Sequence, residues 1–148
     1  MDFSKEYIKM CEKAAEIQEI PPQIGDFYYS DEYTMHDNHL LIYGFSGFKY
    51  SQHYHSNIFK DKYWQVDEGY TSFYFSEKPI FMPRQDQLQK MMGNVFPPFT
   101  NLIRNIDNYC SEDAAYWDCF DSAEQFWIGY IMKTTFNKTW NGEDWING

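Results

Sequence analysis

The sequence predicts an α+β fold, in which an antiparallel, aromatic-rich sheet over residues ~25–82 packs against N-terminal and C-terminal helices. Three observations predict it. Ser4 to Glu19 carries a helical stripe of Phe3, Tyr7, Cys11 and Ala14 among Lys and Glu residues. Gly25 to Met82 is rich in Tyr, Phe, Ile and Val punctuated by Gly, Asn, Asp and Ser, which is the alphabet of strands and turns. Asp121 to Trp145 starts with a capping signal, continues at helical spacing and ends on Asn and Gly.

The first helix is expected on the surface and stops at Ile20-Pro21-Pro22, because a residue before proline avoids helical dihedrals and proline lacks the amide donor. Six strands follow, at Asp26–Ser30, His39–Gly44, Phe48–His55, Tyr63–Asp67, Thr71–Phe75 and Ile80–Met82. In the third, Phe48, Tyr50, Gln52 and Tyr54 alternate with Lys49, Ser51, His53 and His55, so one face is wetter. Pro83 marks the return to helix, with Leu88, Met91 and Met92 at helical spacing and Gly93 as the stop. Phe99, Leu102, Ile103 and Ile106 form a further amphipathic stripe reaching about Tyr109. In the closing helix Asp121 is the expected N-cap, with Glu124 three positions on. Ala123, Phe126, Trp127, Tyr130 and Ile131 form its core face, Ile128 and Met132 lie on the flank that should face water, and Trp140 and Trp145 fold back over the core or line a pocket. No repeat or low-complexity linker divides the 148 residues, so a single domain 1–148 is expected.

Composition narrows the function. Thirteen Tyr, thirteen Phe and five Trp exceed what one core of this size needs, which places rings at a surface, a groove or a subunit interface and favours a homo-oligomer over a monomer. A net charge of −10 repels phosphate backbones and anionic membranes, so neither direct nucleic-acid binding nor membrane binding is expected. Cys11, Cys110 and Cys119 are odd in number and lack C-x-x-C spacing, pointing to a reducing cytoplasm. His36, His39, His53 and His55, with Asp31 or Asp37, could be drawn as a metal site, but two-histidine spacings arise readily by chance and no metal or cofactor is expected. Phosphate-loop and dinucleotide glycine motifs are absent from the sequence, and no catalytic residue stands out among its carboxylates and thiols.

Arg84 is scarce basic charge at a helix start and, with Gln85, could hold a phosphate or carboxylate; an internal salt bridge to Asp86 or Glu143 is the competing role. Trp64, Trp117 and Trp140 are the ring candidates for a ligand or a partner, with Trp127 in the core, and Trp64 and Trp140 are the two chosen to stack on a ligand beside Arg84 and Gln85. An alternative partner surface is the acidic set Glu112, Asp113, Asp118, Asp121 and Glu124.

The stretches Met82-Pro83-Arg84-Gln85-Asp86-Gln87-Leu88-Gln89, Ala123-Glu124-Gln125-Phe126-Trp127 with Met132-Lys133, and Lys138-Thr139-Trp140-Asn141-Gly142-Glu143-Asp144-Trp145 resemble a family of small, poorly characterised phage and prophage proteins. The resemblance covers the C-terminal half and, more loosely, the N-terminal helix, and the aromatic middle departs from it. It implies a phage accessory protein in the cytoplasm of a bacterial host, a class that often antagonises host defence, and it carries no reaction. Two readings follow. The first is non-enzymatic sequestration of a small nucleotide-derived signal by aromatic stacking and an arginine; the alternative is stoichiometric inhibition of a host or defence protein by nucleic-acid mimicry. An enzyme degrading the signal ranks third, and a structural or assembly role in the phage is the plainest option.

Overall fold

The computed structural model describes residues 1–21, 23–32, 40–42, 50–53, 63–68, 71–75, 77–92, 104, 106–108, 110, 111 and 113–148, with the backbone alone at 40, 50–53, 63–68 and 71–75. Helices and small antiparallel sheets make it an α+β protein. The chain divides into two compact units, Met1–Ala14 with Pro83–Gly148, and Ala15–Met82.

The Ala15–Met82 unit holds helix α2 (Ala15–Gln18) and strands β1 (Phe27–Tyr29), β2 (Leu40–Ile42), β3 (Tyr50–His53), β4 (Tyr63–Glu68), β5 (Thr71–Phe75) and β6 (Ile80–Met82). Each expected strand is present within the expected stretch or one residue beyond it. Among the described residues they form two three-stranded antiparallel sheets, β2-β1-β6 and β3-β4-β5, rather than one. In the first, Tyr28 lies opposite Phe81 with ring centroids 5.4 Å apart. The Gln18 side chain closes the β6 edge: its amide donates to the Phe81 carbonyl at 3.0 Å while its oxygen accepts from the Phe81 N–H at 2.8 Å. A side-chain amide thereby does what a neighbouring strand would do. In the second sheet, Tyr50, Val66 and Phe73 share one rung and Gln52, Trp64 and Phe75 another, separated by Ser51, Gln65 and Tyr74.

The other unit is built from α1 (Lys5–Lys13), α3 (Gln85–Met91), α4 (Ala114–Trp117), α5 (Ala123–Phe136) and a hairpin of β7 (Lys138–Trp140) and β8 (Trp145–Asn147). The expected Ser4–Glu19 helix is interrupted at Ala14, whose φ of −84° and ψ of 75° leave the helical region. Its stripe is shifted as well: Tyr7, Met10, Cys11 and Ala14 are fully buried, whereas Phe3 precedes the helix and is 48% exposed. The Tyr7 hydroxyl donates to the carbonyl of Pro83, which holds α1 to the entry of α3. Burial raises both the Tyr7 phenol and the Cys11 thiol, so both remain neutral.

Helix α5 starts one residue later than expected. Ser122, not Asp121, is the N-cap: its backbone is extended and its hydroxyl accepts from the Gln125 N–H at 3.1 Å. Gln125, rather than Glu124, reaches back, accepting from the Asp121 N–H at 3.0 Å. Ile128 and Met132, expected on the watery flank, are fully buried along with Ile131, and Trp127 and Tyr130 join them, so cover extends round most of the helix. Gly129 fits this crowding: a Cβ there would meet the Phe120 ring at 2.6 Å. Asn137 ends the helix in the left-handed region at φ 55°. The Phe99, Leu102, Ile103 and Tyr109 positions of the further stripe lie outside the described residues, as does Gly93.

The starts of α1 and α5 share one hydrogen-bond cluster. Asp2 accepts from the Ser122 hydroxyl at 2.6 Å and the Gln125 amide at 2.9 Å through one oxygen, and from the Ser4 N–H at 2.7 Å through the other. Gln125 also donates to the hydroxyl of Ser4, the N-cap of α1, at 3.1 Å. Desolvation pushes the Asp2 carboxyl upward, but the bonds from Ser122, Ser4 and Gln125 outweigh it and leave the group below the ordinary value. A carboxylate near two helix N-termini also meets the positive ends of both dipoles.

Gln125→Leu should cost about 1–2 kcal/mol, since it removes the bonds to Asp2, Ser4 and the Asp121 N–H, partners that are half-buried or exposed, against about 1 kcal/mol for Ser122→Ala; urea unfolding at pH 7 measures both. Because the folded Asp2 value lies below the unfolded one, its stabilisation is complete above about pH 4 and is lost as pH falls through the folded value. Asp2→Asn should therefore flatten the acid limb of stability, and an unaltered limb would refute this role for Asp2.

Candidate functional site

Arg84 is the N-cap of α3, and Gln85 is the first residue of that helix and exposed. The internal salt bridge is formed, Arg84 Nε standing 3.1 Å from Asp86 Oδ1, and this hydrogen bond is the first cause of the lowered Asp86 carboxyl. Gln87 Oε1 accepts from the Arg84 N–H at 2.9 Å, so Pro83 to Leu88 reads as a helix start in which Arg84, Asp86 and Gln87 have local partners. Trp64 is in β4 opposite Gln52 and Phe75, in the other compact unit. Trp140 is only 6% exposed and therefore offers little ring surface for stacking.

Trp140 belongs to the hairpin that closes the chain. Asn141 Oδ1 accepts from the Glu143 and Asp144 N–H groups at 2.9 and 2.8 Å, and Gly142 takes φ 93°, so Asn-Gly-Glu-Asp is a tight connection between β7 and β8. It brings Trp140 opposite Trp145, with ring centroids 5.0 Å apart. Both indoles seek hydrogen-bond acceptors on α1. Trp140 Nε1 donates to Glu6 at 2.6 Å, and Trp145 Nε1 donates to the Met10 carbonyl at 2.9 Å. Met10 is among the last four residues of α1, whose carbonyls lack helical partners, so Trp145 supplies part of the C-terminal cap. Lys9 and Lys13 complete the seam with Glu143 and Asp144 at 2.5 and 3.5 Å. Glu6, Lys9, Met10 and Lys13 lie on one helix face by their spacing.

The acidic connection leading into α5 carries a different arrangement. Between Arg104 and Lys133 the sequence has six carboxylates and no Lys, Arg or His. Of the acidic candidates, Asp113, Asp118 and Asp121 are exposed, Glu124 meets the amino terminus of Met1 at 3.2 Å, and Glu112 lies outside the described residues. Folded between them is a ring cluster: Tyr116, Trp117, Phe120, Phe126 and Tyr130, with centroid separations of 4.9 Å for Tyr116–Trp117 and 5.2 Å for both Tyr116–Phe120 and Trp117–Phe126. Trp117 and Tyr130 are buried, while Tyr116, Phe120 and Phe126 are half-buried and reach the surface. Lys133 Nζ lies 4.7 Å from the Tyr116 ring centre, 5.4 Å from that of Trp117 and 3.4 Å from Asp113 Oδ2. Burial is the main reason the Tyr116 phenol is pushed up to about 12; it accepts a hydrogen bond from the Trp140 N–H at 3.2 Å. Burial, followed by the fields of Glu6, Asp121 and Asp113, pushes the Cys119 thiol up, which keeps it protonated and a poor nucleophile at neutral pH.

The acids of this surface and Trp117 are candidates in the sequence alone, whereas Phe126 reads there as core and Tyr116, Phe120 and Lys133 do not stand out. Tyr-Trp-Asp-Cys-Phe at 116–120, rings interleaved with acid, was the available signal. Of the histidines, His53 is in β3 opposite Tyr63, and His36, His39 and His55 lie outside the described residues. Among the described residues no group of three or more His, Cys, Asp or Glu side chains could hold a metal ion, and no helix is long and apolar enough to cross a membrane. Compared with family models, curated proteins and solved structures, the chain matches none.

The hairpin seam separates two kinds of contact. Trp145→Phe should cost about 1–3 kcal/mol by leaving the Met10 carbonyl without its indole donor, whereas Glu143→Gln should cost under about 1 kcal/mol because the pair with Lys9 is exposed. Thermal unfolding distinguishes them; a larger loss for Glu143→Gln than for Trp145→Phe would show that the ion pair, and not the indole cap, fastens the hairpin.

Proposed function

We propose that the chain is a phage accessory protein that acts in the bacterial cytoplasm as a stoichiometric, non-enzymatic antagonist of antiviral defence, by presenting the acidic, ring-studded face of residues 113–126 to a basic groove on a host or defence protein. One observation carries the reading. Asp113, Asp118 and Asp121 stand exposed around half-buried rings, while Lys9, Lys13, Arg84, Lys90 and Lys133 of the same unit are tied to carboxylates of that unit. Such a surface attracts cationic partners and gives them aromatic contact once they arrive. The phage and anti-defence parts of the reading rest on the resemblance of the stretches at 82–89, 123–133 and 138–145.

Sequestration of a nucleotide-derived signal is the second reading. It is favoured by the partly exposed Arg84 beside exposed Gln85, and weakened by the burial of Trp140 and the engagement of Arg84 with Asp86.

The two separate in one experiment: native mass spectrometry of the protein purified at low salt from bacteria with and without a nucleotide-signalling defence, which also reports any homo-oligomer. A protein partner held at low salt, released at high salt and lost with the Asp113→Asn, Asp118→Asn, Asp121→Asn triple variant is the expected result. A small-molecule adduct found only in defence-bearing cells and lost with Arg84→Ala would overturn it in favour of sequestration.

A further inference from the structure

We infer that the cradle formed by Asp113 and the half-buried ring of Tyr116, with the Trp117 ring that is only 7% exposed while Lys133 lies over it, is a receptor for a lysine or arginine side chain of a protein partner, and that Lys133 is its built-in competitor. The inference rests on the acidic-surface reading above and names the group which that surface recognises. Lys133 displays the recognition chemistry within the chain itself: an ammonium lies over two ring faces at 4.7 and 5.4 Å with a carboxylate oxygen at 3.4 Å. Rings supply a negative quadrupole face and the carboxylate a full charge, a combination selective for organic cations.

The resident contact is built to yield. The Lys133 side chain is 23% exposed and that of Asp113 51% exposed, so water screens the pair and an incoming group can reach it. Arginine has an advantage over the resident lysine, because its planar guanidinium can stack on a ring and hydrogen-bond a carboxylate with two N–H groups at once. The surroundings add a second advantage. Asp118 directly follows Trp117 and Asp121 precedes the α5 cap, both exposed and neither in an ion pair among the described residues. One lysine cannot neutralise this set, whereas a segment with several basic residues can engage the cradle and the flanking acids together.

The test is fluorescence anisotropy with a labelled twelve-residue peptide of alternating arginine and glycine, at low and high salt. A competitor that fills the cradle roughly nine-tenths of the time weakens apparent affinity about tenfold, so Lys133→Gln should tighten peptide binding by about that factor. Lys90→Gln makes the same change in net charge at the exposed Asp86 pair and should tighten binding less than about twofold. Asp113→Asn should weaken binding about tenfold, and Tyr116→Leu should weaken it while leaving the salt slope unchanged. Circular dichroism melts establish that each variant is folded. Equal effects of Lys133→Gln and Lys90→Gln, or weaker binding by folded Lys133→Gln, would overturn the inference while leaving the acidic surface standing. Failure of the wild-type protein to bind the peptide at low salt would overturn both.

Discussion

Two helix starts in this protein share one carboxylate. Asp2 takes hydrogen bonds from Ser122 and Gln125 at the head of α5 and from Ser4 at the head of α1, and Gln125 spans both caps from a buried position. Helix starts leave four N–H groups each without intrahelical partners, and burying two starts together is tolerable only if side chains answer for them. Once α1 and α5 are fixed at this end, Tyr7 can reach Pro83 and the closing hairpin can lie on α1. The rest of the unit follows from that registration.

The stretches at 82–89, 123–127 and 138–145 prove to have structural duties. Pro83 to Leu88 builds a capped helix start, Ala123 to Trp127 contains the glutamine that spans both caps, and Trp140 to Trp145 is a hairpin fastened to α1. Arg84, Asp86, Gln87, Gln125, Asn141, Glu143 and Asp144 all have contacts inside one compact unit. Asp118 and Asp121, on the acidic connection before α5, instead have no ion-pair partner among the described residues, and the half-buried Tyr116 and Phe120 lie in the same connection. A motif dense in tryptophan and charge draws attention as a site, yet indole N–H groups need acceptors when buried, and α1 supplies them in Glu6 and the Met10 carbonyl.

How far the fold was legible depended on whether local chemistry was enough. The strands were readable because Tyr-, Phe- and Ile-rich runs are bracketed by turn residues, and Phe27–Tyr29 and Thr71–Phe75 fall within the predicted stretches. The start of α5 was misplaced by one residue because Asp121 and Ser122 are both competent caps; Asp2, 120 positions away from Ser122, takes the Ser122 hydroxyl bond and decides between them. Ile128 and Met132 were assigned to water because periodicity describes one face, while burial on a second face depends on elements elsewhere in the sequence. The acids of the candidate surface were visible as a charge run. The Lys133 cradle was not, since it joins Asp113 to a lysine 20 positions on across a helix turn that only the fold closes.

The hairpin on α1 has a consequence for how the chain acquires its structure. The unit joins Met1–Ala14 to Pro83–Gly148, so its first helix exposes Tyr7 until Pro83, 76 residues later, and Met10 until Trp145, 135 residues later, have been synthesised. Contacts this distant in sequence form late, and loop closure must precede any gain from them. Among the described residues, the strand pairings of the Ala15–Met82 unit all lie within the intervening segment, so it can assemble while α1 waits. Synthesis therefore imposes an order on the two units, with the unit that contains the first residue being the last to close.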